Sequence, residues 1–389
     1  MTEIAGWMAP DTRPILQTKR AGCNPLMQYR LGNNEACKMS DRCEQRWTVR
    51  PEGSNWGEFG ADDQIGRLNL ITPERRKAAM AEVREGLAFC LSLPLDCPRH
   101  AELHPRRKPP ELGFFLRGED PTLNYPMDRV LPGQTDVVCD DKALISLQFS
   151  TQWDSLCHIG AQHDAFGDGN LAAMYYNGYK AGDHVRGPFD YLDGRAPKEG
   201  PYGASALGID TVAETCLQTR GVMIDLYAHF GLQRMAVGYD QLMRILEADE
   251  VTIEPGDVLA LRTGFDRALL ARYADPAAPF DQHSCTGLDG GDRKLQRWIA
   301  DSGLVALVSD NEAVELLPTD HVPEGGHGSH IPLHHLCLFK LGMPLGELFL
   351  LSDLADWLRA NGRSRFLFTA PPLRLPGAVG SPVTGVATV

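Results

Sequence analysis

The run Ala143-Leu144-Ile145-Ser146-Leu147 leads into Gln148-Phe149-Ser150-Thr151-Gln152-Trp153-Asp154-Ser155-Leu156-Cys157-His158-Ile159-Gly160, and this stretch sets the fold class expected for the chain. An apolar run of that length reads as a buried strand, with a polar cluster falling where the strand ends. Asp154 and His158 stand four residues apart. A carboxylate and an imidazole presented from a strand end suit metal-assisted or general-base hydrolysis. Such a pair is also common in structural or solvated settings, so its weight depends on the rest of the chain.

Outward from that stretch, apolar and amphipathic segments alternate. Upstream, Thr72-Pro73-Glu74 has the form of an N-cap, a proline at the first helical position and an early acid, predicting a helix to about residue 83. Residues 89–93 read as a short strand, and residues 97–140, rich in proline and charge, as a long surface excursion. Downstream, Asn177-Gly178 between tyrosines signals a type I′ turn. Residues 221–226, 258–262, 304–309 and 366–368 read as strands. Residues 239–247, 295–302, 332–341 and 351–360 read as helices, with Gly342 closing the third. The alternation without internal repeat predicts an α/β domain over residues 51–389, preceded by an N-terminal extension over residues 1–50.

Composition narrows the function. The 389 residues are 43% hydrophobic and 23% charged, as in a globular protein with a sizeable core. A net charge of −13 repels phosphate backbones and anionic membranes, so neither nucleic acid nor membrane is expected as a partner. No apolar run is long enough to span a bilayer. Met1 to Trp7 lacks a basic segment followed by an apolar one, so the expectation is a cytoplasmic protein whose ten cysteines are mostly free thiols. Cys23, Cys37 and Cys43 have no zinc-module spacing. Walker A, dinucleotide-glycine, Gly-x-Ser-x-Gly and His-Glu-x-x-His patterns are missing, which removes support for phosphoryl transfer and nicotinamide chemistry.

A second cluster gathers His321, His327, His330, His334 and His335 within fifteen residues, with Glu347 downstream. His334 and His335 point about 100° apart on a helix, so one of them is expected to face a site. Together with Asp154 and His158, that histidine and Glu347 could complete a metal site of mixed nitrogen and oxygen ligands.

The chain resembles the cyclase or kynurenine-formamidase-like family of metal-dependent hydrolases over roughly residues 50–389. That family's His-x-Gly-Thr-His-x-Asp-x-Pro-x-His run falls on residues 148–158, with Thr151, Asp154 and His158 in register. His335 and Glu347 keep the family's twelve-residue spacing, inside Pro332-Leu333-His334-His335-Leu336-Cys337-Leu338-Phe339-Lys340-Leu341-Gly342-Met343-Pro344-Leu345-Gly346-Glu347. Further matching landmarks are Pro255-Gly256-Asp257 with Arg262-Thr263-Gly264, Ser309-Asp310-Asn311 with Glu315, and Ala370-Pro371-Pro372 with Gly380-Ser381-Pro382. A rival register starting at His158 loses the threonine, where Ala161 stands, and the last histidine, where Asp168 stands.

The resemblance implies a swivelling β/β/α-type fold, a homodimer or higher oligomer, and hydrolysis of an amide, lactam or lactone bond in a small aromatic or cyclic substrate, of kynurenine formamidase or amidohydrolase type. Asp154, His335, Glu347 and Gln152 would hold a manganese or zinc ion, and His158 would serve as acid and base. Trp153 and Gln148 would contact substrate, with Tyr175, Tyr176 and Tyr179 as further lining candidates or as core. The family's two leading histidines are Gln148 and Gln152 here. A glutamine carbonyl is a hard donor, poorer than imidazole for zinc and tolerable for Mn²⁺ or Mg²⁺. Weak zinc binding, a harder ion, or no ion with both amides on substrate all follow from it. So do a metal-independent acid/base cyclase or dehydratase and a non-catalytic binding protein.

Overall fold

The computed structural model describes residues 45–99, 102–191, 195–317 and 328–389. His321 and His327, and nearly all of the proposed extension with Cys23, Cys37 and Cys43, lie outside the described residues.

A nine-stranded mixed sheet carries the molecule. Its strands in chain order are β1 (Ala88–Cys90), β2 (Gln152–Asp154), β3 (Gln218–Asp225), β4 (Val258–Arg262), β5 (Ala306–Ser309), β6 (Leu345–Glu347), β7 (Arg365–Thr369), β8 (Gly380–Pro382) and β9 (Val386–Thr388). Across the sheet they run β1-β9-β7-β3-β4-β5-β6-β2-β8. The central strands β3 to β6 are parallel and the flanking pairs antiparallel. The α/β class matches expectation.

Both faces of the sheet are buried, so the central strands read as continuous apolar runs. Alternate residues serve different layers. Leu259, Leu261, Leu307 and Leu345 pack with Leu242, Ile245, Leu295 and Ile299 of the helices Tyr239–Ala248 and Arg293–Asp301. Val258, Ala260, Ala306 and Val308 face the opposite layer with Phe349, Phe366, Phe368 and the helix Ser352–Ala360. Buried Arg67 donates to the carbonyls of Ile299, Ala300 and Leu304, serving oxygens at and just beyond the end of the helix Arg293–Asp301.

Local chemistry explains several elements. Thr72 caps the helix Pro73–Met80, accepting from the Arg75 N–H. Asn177 (φ +55°) and Gly178 (φ +76°) both take the left-handed conformation that a type I′ turn requires. Gly342 (φ +58°) ends the helical segment after Lys340 and lies so close to Gly66 that a Cβ on Gly66 would sit 2.1 Å from its carbonyl oxygen.

One strand expectation is overturned. Residues 143–147 do not form the buried strand before the motif. Asp141–Leu144 pairs with Glu111–Phe114 in a ribbon with Leu112 79% and Leu144 70% exposed. The buried strand is the polar triplet of β2 itself. No helix among the described residues is long and apolar enough to cross a membrane.

Candidate metal centre

The site forms where β2 lies between β6 and β8. In the β2–β6 register Gln152 faces Glu347, Trp153 faces Gly346, and Asp154 faces Leu345. Directly opposed residues share a sheet face and successive residues alternate, so Gln152, Asp154 and Glu347 point one way and Trp153 the other. Gly346 is small for a reason: a Cβ there would press on Phe349, Val308 and Trp153.

His334 enters from the short helix Pro332–His334. Its Nε2 lies 3.1 Å from Glu347 Oε1 and 4.0 Å from Asp154 Oδ2. Its Nδ1 lies 2.9 Å from Glu315 Oε1, which orients the ring. Glu315 is anchored in turn, accepting from the backbone N–H groups of Leu333 and His334. Gln152 donates from Nε2 to Glu347 Oε2 at 2.7 Å. His158, with its side chain 20% exposed, brings Nε2 to 3.7 Å from Asp154 Oδ2. Asp154, His334 and Glu347 are buried and offer ligand atoms within 4.8 Å of one another.

The charges do not balance within the protein. Burial and the neighbouring Asp154 charge hold the Glu347 carboxyl above its ordinary range. Burial depresses His334, but the Glu315 and Glu347 carboxylates outweigh it and hold the imidazole at about 10. Both Asp154 oxygens and Gln152 Oε1 are buried without a hydrogen-bond partner. A buried carboxylate needs a partner. The donor set, two carboxylates and an imidazole whose second nitrogen is held by a carboxylate, suits a divalent cation. Backbone strain gathers beside it, with Val314 (φ +62°) preceding Glu315 and Leu348 (φ +53°) following Glu347.

The sequence candidates separate cleanly. Gln152, Asp154, His158 and Glu347 meet. His335 does not join them: its ring packs at a tilt against Phe339 with centroids 5.0 Å apart, and burial together with the Lys340 and His163 charges pushes it down to about 4. The twelve-residue spacing favours His335, but the segment His335–Lys340 is a wide π-type turn in which the Leu341 N–H reaches back to the Leu336 carbonyl. Such a turn holds one residue more than a regular helical turn, so the imidazole opposite Glu347 stands thirteen residues away.

Trp153 is also displaced from its expected role. It is fully buried, donates from Nε1 to the Ala370 carbonyl and packs edge-on against Phe349 and Phe368. Tyr176 is likewise core. Gln148 is half-buried, its backbone carbonyl accepts from Arg107 at 2.9 Å, and its side-chain amide fills the space beside Gly380, the residue paired with Asp154. Glu315 was legible only as a landmark, because its contact with His334 spans nineteen residues.

Comparison with known proteins adds a family match. The model of the Cyclase family matches residues 91–316. A crystal structure of a novel cyclase aligns with a TM-score of 0.65 at 29% identity, covering 87% of this chain and 100% of that one. Isatin hydrolase A from Labrenzia aggregata, bound to benzyl benzoate, aligns at 0.48 and 13% identity over 79% of this chain and 94% of its own. Isatin hydrolase A from Ralstonia solanacearum gives 0.48 and 15% over 80% and 93%. No curated protein matches the chain.

Proposed function

The chain belongs to the Cyclase family, and from that premise we propose a metal-dependent hydrolase of a small cyclic or aromatic amide, lactam or lactone. The observation that carries this reading is Asp154, whose two buried oxygens have no hydrogen-bond partner while Glu347 and His334 stand beside it. Asp154, His334 and Glu347 would hold the ion. A bound divalent ion supplies a Lewis acid and a water acidic enough to lose its proton near neutral pH.

The remaining chemistry falls to the chain's own side chains. His158 is the acid/base, being a partly exposed imidazole next to Asp154. In the imidazole form it takes a proton from the attacking water, and as imidazolium it returns one to the leaving nitrogen or oxygen. Glu315 is a positioning residue, holding the His334 ring by Nδ1 so that Nε2 faces the two carboxylates. Gln148, half-buried next to Gly380, can hydrogen-bond the substrate's amide or carboxylate.

The test begins with elemental analysis of protein purified without chelator. About one divalent ion per chain is expected, lost in Asp154→Ala. N-formyl amides, lactams and lactones are then screened, and His158→Ala should abolish turnover while retaining the ion. A wild-type chain that takes up neither Mn²⁺ nor Zn²⁺ on soaking would remove the metal-dependent reading.

A further inference from the structure

We infer that Gln152 is a fourth ligand in this centre and shifts its selectivity away from zinc towards harder ions such as Mn²⁺. The inference rests on the reading of Asp154, His334 and Glu347 as an ion site. Gln152 is fully buried, and its β2 position puts its side chain on the same sheet face as Asp154 and Glu347. The 2.7 Å bond to Glu347 Oε2 fixes which end of the amide is which, because only the nitrogen can donate to a carboxylate. That bond has two consequences. It occupies one oxygen of Glu347, leaving Oε1 as the atom nearest His334. It also leaves the Gln152 carbonyl oxygen at the cluster with no donor. A buried carbonyl without a partner destabilises the fold, and a cation satisfies it as well as a hydrogen bond would.

The resulting donor set is unusual for zinc. Asp154, Glu347 and Gln152 all offer oxygen, and among the described residues His334 Nε2 is the imidazole nitrogen of the cluster, its Nδ1 being taken by Glu315. Zinc sites are built mainly on imidazole and thiolate, whereas carboxylate and carbonyl oxygens suit manganese and magnesium. Intrinsic affinity still rises from manganese to zinc in any such set, so the quantity that Gln152 governs is the ratio of the two affinities. An imidazole at this position would add a second nitrogen and release Glu347 Oε2.

The experiment is an equilibrium titration of chelator-stripped full-length protein with Mn²⁺ and Zn²⁺, each against a competing chromophoric chelator. Wild type, Gln152→His and Gln152→Leu are compared, with circular dichroism confirming the fold of each. Gln152→His should raise the zinc-to-manganese affinity ratio by about tenfold or more. Gln152→Leu, which keeps the bulk and loses both polar atoms, should weaken manganese by roughly 10–100-fold. If wild type binds one ion per chain but neither variant changes affinity or ratio, Gln152 is no ligand and the inference falls while the ion site stands. If wild type binds neither ion, the site and the inference fall together. Should Gln152→His not fold, the leucine variant decides.

Discussion

His334 and His335 are adjacent in sequence and opposite in chemistry. One is fixed between two carboxylates and held at about 10, the other packs against Phe339 and is pushed down to about 4. His334→Ala should therefore lower ion affinity by at least 10–100-fold, while His335→Ala leaves it unchanged; the chelator-competition titration separates them. Equal losses in both would overturn the assignment. Asp154, His158 and Glu347 were legible from residue type and spacing. His334 was not, because spacing counts residues and the wide turn after it holds one extra. Trp153 was misread as lining the pocket although strand alternation places it on the face away from Gln152 and Asp154. The cysteines give a second test at this scale. Burial raises the Cys97 and Cys285 thiols to about 12 and Cys157 to about 11, and raises Cys337 as well. Native protein treated with iodoacetamide at about pH 8 should be alkylated at exposed Cys90, Cys139 and Cys216 and spared at those four, as read by peptide mass mapping. Because the folded values lie above the ordinary thiol value of about 8.5, their contribution to stability is complete below that pH and fades as pH rises towards 12.

The element that matters most is three residues long. β2 sends Gln152 and Asp154 to the face they share with Glu347 and Trp153 into the aromatic layer of Phe349 and Phe368. Trp153→Ala should destabilise the fold by about 3–5 kcal/mol in urea unfolding. In the fraction that remains folded, KM should stay close to wild type. A large rise in KM with little loss of stability would return Trp153 to the substrate pocket. The longer central strands were readable because strands buried on both faces are apolar throughout. The run at residues 143–147 looks the same in sequence, yet it leads out of an uncovered ribbon. Hydrophobicity reports what a segment could bury, and only the tertiary neighbours decide whether anything covers it.

At the scale of the molecule, β1 and β2 are consecutive in the sheet's chain order but stand far apart in it. β1 pairs with β9 near one edge, and β2 lies between β6 and β8 near the other. The chain between them makes the exposed ribbon, which carries Arg117 and Arg129. Exposed loop segments of this kind are preferred sites of proteolytic nicking. Brief trypsin treatment should cut here before reaching the sheet, giving two bands on a denaturing gel that elute as one species on gel filtration. Separate elution would show that the ribbon is needed to hold the parts together.

That ribbon makes the protein divisible. The segment before it is held by the β1–β9 ladder, by Arg67 across the end of the helix Arg293–Asp301, and by Trp56, which donates to the Phe339 carbonyl. Asp154, His158, Glu315, His334 and Glu347 all lie after it. Two separately made polypeptides, split between Arg117 and Arg129, would meet along surfaces already shaped for each other. The larger would bring Asp154, His334 and Glu347 and the smaller an edge of the sheet, so that uptake of the proposed ion by the mixture would report their reunion.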